Sequence, residues 1–130
     1  MLSLAFAMFY EGNSRVVVDD DPSEFWFYEH GVVMLAANHG HRVKPEQMPG
    51  VMAAYQPAMW GRTKCRQAFS GHIHHTRAGE ENGARWETFR TIAARDAYSH
   101  QHGYSAGREL VALTYHNERG LRSRQVVEIL

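Results

Sequence analysis

Two short stretches of this chain concentrate side chains that can bind metals or move protons: Asn38-His39-Gly40-His41 and Phe69-Ser70-Gly71-His72-Ile73-His74-His75. Imidazole ligates first-row divalent metals and titrates near physiological pH. If residues 72–74 are extended, side chains alternate, so His72 and His74 share one side of the backbone and could hold one ion or two adjacent ones. Gly71 allows a tight turn at a strand end, where a Cβ would interfere. With nine histidines in 130 residues, an H-x-H tripeptide also arises by chance. The pattern acquires meaning only from the elements that position it. His75 reads as a solvated neighbour, and His100, His102 and His116 have no spacing that joins them to the motif.

Composition narrows the chemistry. One Cys, Cys65, excludes an internal disulfide framework and a thiolate zinc cluster, which leaves histidine and carboxylate as ligands. It also suits a reducing, cytoplasmic setting. Fourteen basic and fourteen acidic side chains cancel, so no global field steers the chain toward nucleic acid or membrane. No apolar run approaches the ~20 residues of a membrane span. The length is that of a single domain, residues 1–130, with enough chain to bury a core.

The positioning elements follow from pattern. Residues 1–10 (MLSLAFAMFY) predict a helix stopped by Glu11-Gly12-Asn13. Strands are expected at 15–19 (RVVVD), 24–29 (EFWFYE) and 32–37 (VVMLAA), the last apolar throughout as in a strand buried on both faces. A helix is expected over 46–55 and a loop over 57–63. A strand follows over 64–69, then the H-x-H turn and a polar turn at 78–83. Further strands are expected at 85–89, 110–116 and 122–129, with residues 91–107 irregular. This is mixed α/β with an antiparallel C-terminal half. Both histidine stretches fall just beyond strand ends, where open α/β sheets place their chemistry. Phe25, Trp26, Phe27 and Tyr28 are expected as core or interface aromatics. Arg62, Arg66, Arg77, Arg85, Arg90 and Arg95 read as a solvated surface ahead of a phosphate-binding rim.

Taken together, His39-Gly40 at one strand end and Gly71-His72-Ile73-His74 at another resemble the C-terminal part of calcineurin-like metallophosphoesterases. Trp60-Gly61-Arg62-Thr63, Glu87-Thr88-Phe89-Arg90-Thr91, Asp96-Ala97-Tyr98 and Gly103-Tyr104 are similar to segments of phage-related predicted DNA repair exonucleases of that superfamily. The resemblance implies a partial α/β sandwich: a mixed, largely antiparallel sheet with flanking helices, and the N-terminal half absent. It implies a divalent metal (Mn, Zn, Ni or Fe) held by His39, His72 and His74, with His41 no closer than a second layer. It further implies the family activity, hydrolysis of phosphoester bonds, with nucleic acid as the substrate expected for the similar subgroup.

The family's N-terminal Asp-x-His, its bridging Asp and its Asn-His-acid motif have no counterpart in the chain. An alignment of Asn38-His39 with that last motif fails on its flanks, Ala37 and Gly40. Activity of the chain alone is therefore doubtful, and apolar surfaces left uncovered predict a homo-oligomer. Two alternatives stand beside the truncated phosphoesterase: a non-catalytic metal-binding or structural subunit completed by another chain, and a cupin-like metal protein using Glu80 after the H-x-H.

Overall fold

A computed structural model describes residues 2–93 and 107–129. Arg95, residues 96–98, His100, His102 and residues 103–104 lie outside the described residues. The first helix, α1 (Leu2–Phe9), forms as expected from its Leu, Ala and Met content, yet it buries no side chain. Residues 16–22 are not a strand: Val17 is 94% exposed, and β-branched residues without a neighbouring strand gain nothing from extension. The loop expected at 57–63 is instead a helix.

The remaining elements run β1 (Phe25–His30), β2 (Val33–Asn38), a 3-10 turn (Pro45–Gln47), α2 (Met48–Tyr55), α3 (Pro57–Arg62), β3 (Cys65–Ser70), β4 (Arg77–Glu81), β5 (Ala84–Thr88), β6 (Arg108–His116) and β7 (Gly120–Ile129). Strands β1 to β5 form one open sheet in the order β1-β2-β3-β5-β4, and β6-β7 is a separate antiparallel pair. The outer pairings β1·β2 and β4·β5 are antiparallel; the central ones, β2·β3 and β3·β5, are parallel. The architecture is mixed α/β with few helices. It is not the closed barrel a cupin requires, and Glu80 lies on the edge strand β4.

Register explains the two faces of the sheet. Phe27, Ala36, Ala68 and Trp86 stand in one row across β1, β2, β3 and β5. Met48 and Met52 of α2 close over that row, so Met34, Ala36, Met48, Met52 and Ala68 are fully buried. The opposite face carries Gln67 and Glu87, where the β6-β7 pair docks through polar groups. Tyr115 donates its hydroxyl to Gln67, Gln67 Nε2 donates to Glu87 (3.2 Å), and Arg124 pairs with Glu87. Backbone joins the two sheets as well, with Val32 N–H donating to the Asn117 carbonyl (2.6 Å).

Candidate metal centre

Strands β2 and β3 lie parallel and end together, Asn38 opposite Ser70. The chain must therefore leave both strands on the same edge, side by side. Asn38 fastens the two exits: its Nδ2 donates to the Val43 carbonyl (3.2 Å), closing one loop, and its Oδ1 accepts from Ser70 Oγ (2.6 Å). Its carbonyl accepts the Gly71 N–H (3.3 Å). Gly40 has φ +91°, and a Cβ there would lie 2.9 Å from the Gly71 carbonyl oxygen; one on Gly71 would lie 3.2 Å from that of His39. The loops thus approach backbone to backbone, a contact that a Cβ on Gly40 would break and one on Gly71 would crowd.

Three rings meet across that contact. The His39 centroid lies 5.1 Å from His72 and 5.2 Å from His41, and His41 lies 6.2 Å from His72. All three side chains are exposed. A small hollow of about 60 Å³ beside them is lined by Glu24, Asn38, His39, His41 and Arg42 among others. Among the described residues Glu24 is the one acid in that lining, and it pairs with Arg42 at 2.7 Å.

The sequence-predicted set was His39, His72 and His74. Of these, His39 and His72 adjoin, and the third ring beside them is that of His41, which the resemblance had set aside. The premise of an extended 72–74 does not hold. His72 (φ +66°) and His74 (φ +57°) are both left-handed, a conformation costing a non-glycine residue about 1–2 kcal/mol, so period-two geometry does not align their rings. Among the described residues, His74 has no ring contact with the other three. His75 serves the loop, its Nδ1 lying 2.9 Å from the Ile73 carbonyl while its own carbonyl accepts from Thr88 Oγ1 (2.6 Å). His41 was legible as the second member of His39-Gly40-His41, where the left-handed glycine folds the pair back on itself.

The donor chemistry suits a borderline divalent ion. A metal–nitrogen bond of about 2.0–2.1 Å sets a ring centroid roughly 3.2 Å from the ion, and tetrahedral ligands roughly 5.2 Å apart between centroids. The two spacings about His39 match that value, and the third, 6.2 Å between His41 and His72, exceeds it by about an ångström. As the rings stand, no group of three His, Cys, Asp or Glu side chains among the described residues converges its donor atoms on one point.

The arginines considered as a phosphate rim are mostly engaged elsewhere. Arg62 forks onto Glu29 (2.8 and 3.2 Å), Arg66 donates to the Trp60 carbonyl beneath its own contact with the Trp60 ring, Arg77 lies over Trp86, and Arg90 faces Glu109 at 3.6 Å.

No protein-family model matches the chain, and no curated protein matches its sequence. Solved structures do. A single mutant of Vps29 from Entamoeba histolytica aligns at 14% identity and a TM-score of 0.49 over 88% of this chain and 65% of its own. A double mutant of the same protein gives 14%, 0.48, 86% and 64%. A conserved uncharacterized protein, a predicted phosphoesterase from Streptococcus pneumoniae TIGR4, gives 12%, 0.43, 91% and 68%. The chain thus spans about two thirds of the length of these proteins, to which it is structurally similar at low identity.

Proposed function

We propose that this chain is a divalent-metal protein of the phosphoesterase type, in which His39, His41 and His72 hold one ion at the ends of β2 and β3. The observation that carries this reading is the meeting of three imidazoles across the Gly40–Gly71 contact. A bound ion would supply Lewis acidity toward a phosphoryl oxygen. The chain's own part is to fix the spacing of the ligands, through Asn38 and the two glycines, and to leave the rings open to solvent. Among the described residues Glu24 is the only acid lining the hollow, and it is paired with Arg42, so no free carboxylate stands there to bridge a second ion. Efficient hydrolysis through a two-metal clamp then needs carboxylates from elsewhere. The same scarcity favours, as the second reading, a metal-binding subunit without turnover of its own.

Calorimetric titration with zinc and nickel at about pH 8, well above the ~6.5 of free imidazole, tests the site. One ion should bind per chain; His39→Ala, His41→Ala and His72→Ala should each weaken it by tenfold or more, in keeping with loss of a direct ligand, and His74→Ala much less. Turnover of bis-p-nitrophenyl phosphate by the chain alone should stay near background. Absence of metal binding would remove the site. Equal sensitivity to His74→Ala and indifference to His41→Ala would restore the ligand set implied by the sequence.

A further inference from the structure

We infer that the outer edge of β1 is the dimerisation surface of this chain, pairing antiparallel with β1 of a second copy about a two-fold axis at Phe27. Hydrogen-bond parity gives the reason. The Val32 carbonyl accepts the Cys65 N–H, and the Asn38 carbonyl accepts the Gly71 N–H. Even-numbered residues of β2 therefore direct their backbone groups to β3, and Val33, Leu35 and Ala37 direct theirs to β1. Their partners are His30, Tyr28 and Trp26. By alternation, the N–H and C=O groups of Phe25, Phe27 and Glu29 point away from the sheet, and β1 stands at its edge. Among the described residues no strand pairs with that side. A groove of about 350 Å³, lined by residues including Asp19, Phe25, Phe27 and Met59, lies along it.

The side chains select both the occupant and the register. This edge strand is rich in large aromatics and has no lysine and no proline; its one acid, Glu29, is held by Arg62, and Asp19 and Asp21 line the groove beside it. Trp26 and Tyr28 are 40% and 50% exposed, their rings stacked at 5.7 Å and 7° on the face opposite the α2 core. In a two-fold antiparallel pair, residues facing each other must share a side of the sheet, so the axis passes through one residue of β1. Centring it on Phe27 uses the outward backbone groups of Phe25, Phe27 and Glu29. It sets Trp26 against Tyr28 of the second copy in the closer, non-hydrogen-bonded pairs, where aromatic partners stabilise most. It also sets Glu24, which already pairs with Arg42 at 2.7 Å, across from His30 of the second copy, beside the hollow that Glu24 shares with His39 and His41. Centring on Tyr28 would face tyrosine with tyrosine and leave Glu24 without a partner on the strand.

Sedimentation equilibrium of the full chain and cysteine cross-linking test this directly. The wild type should be dimeric at micromolar concentration. Because a two-fold interface contains each substitution twice, Trp26→Lys should weaken the dimer by at least about 100-fold. In a Cys65→Ser background, mixing Trp26→Cys chains with Tyr28→Cys chains should give a rapid disulfide between unlike chains, with neither variant cross-linking efficiently alone. This readout needs no charged residue on the strand and stands if the lysine variant fails to fold. A monomeric wild type, a dimer indifferent to Trp26→Lys in a folded variant, or Tyr28→Cys cross-linking best with itself would overturn the proposal.

Discussion

Gly40→Ala measures how far the candidate site depends on two loops touching through bare backbone. The new Cβ meets the Gly71 carbonyl oxygen at 2.9 Å and Ser70 Cβ at 3.5 Å, with φ at +91°. Left-handed backbone costs an L-residue about 1–2 kcal/mol. Moving a backbone oxygen that belongs to the facing loop adds an overpacking cost of about 1 kcal/mol or more. Reduced freedom of the unfolded chain offsets about 0.4–1 kcal/mol of this. The net expectation is a loss of about 2 kcal/mol, or roughly 6–10 °C in melting temperature for a domain of this size. Urea unfolding followed by far-ultraviolet circular dichroism gives the number. Gly50→Ala is the internal control: Gly50 lies in α2 with no atom within 4 Å of an added Cβ, so the change should stabilise by about 0.5–1 kcal/mol. Zinc affinity should fall in the Gly40 variant and hold in the Gly50 variant. Equal stability of the two variants, or unchanged metal affinity in a destabilised Gly40→Ala, would refute the view that this contact sets the spacing of His39 and His72.

Other outcomes follow from the polar docking of the β6-β7 pair. Glu87 is 1% exposed and shared by Arg124 and Gln67; Glu87→Gln should cost about 2–4 kcal/mol, the lower end reflecting the partial exposure of Arg124, as read from the urea midpoint. Burial, reinforced by the negative charge of Cys65 and then Glu87, raises the Tyr115 phenol well above its ordinary value of about 10. A group raised in the folded state stabilises below its unfolded pKa and loses that contribution as pH climbs beyond it, so the urea midpoint should decline above about pH 10. Tyr115→Phe should flatten that decline while costing about 1 kcal/mol at neutral pH.

Much of the fold was legible because burial imposes pattern. The apolar run of β2 and the alternation in β1 predicted those strands within a residue or two, and the histidines were correctly placed at strand exits. Alternation also divided the β1 aromatics: Phe25 and Phe27 pack on the core, and Trp26 and Tyr28 face outward, where only an interface such as the proposed dimer would cover them. Strand β4 (RAGEE) left no signal, since an edge strand with four of five residues exposed carries no apolar face. Helix α3 lies where a loop is expected, although proline suits a first helical turn and Pro57 occupies it. The rings gather differently from the expectation for a related reason. Spacing rules assume regular backbone, and the left-handed residues at His72, His74 and Gly40 break that regularity where the site is built.

The parallel pairing of β2 with β3 also governs how the site comes into being. Their partners, Val33 and Cys65, lie about thirty residues apart along the chain, whereas β6 and β7 are joined through His116 and Gly120. Closing the longer loop costs more chain entropy before any contact rewards it, so the β6-β7 hairpin can form on its own fast timescale while the central crossover waits. His39 and His72 sit at opposite ends of that crossover and become neighbours only when it closes. Stopped-flow refolding with a colorimetric zinc indicator should therefore find metal competence arriving with the rate-limiting step, in one phase with the burial of Trp86 against Met48 and Met52.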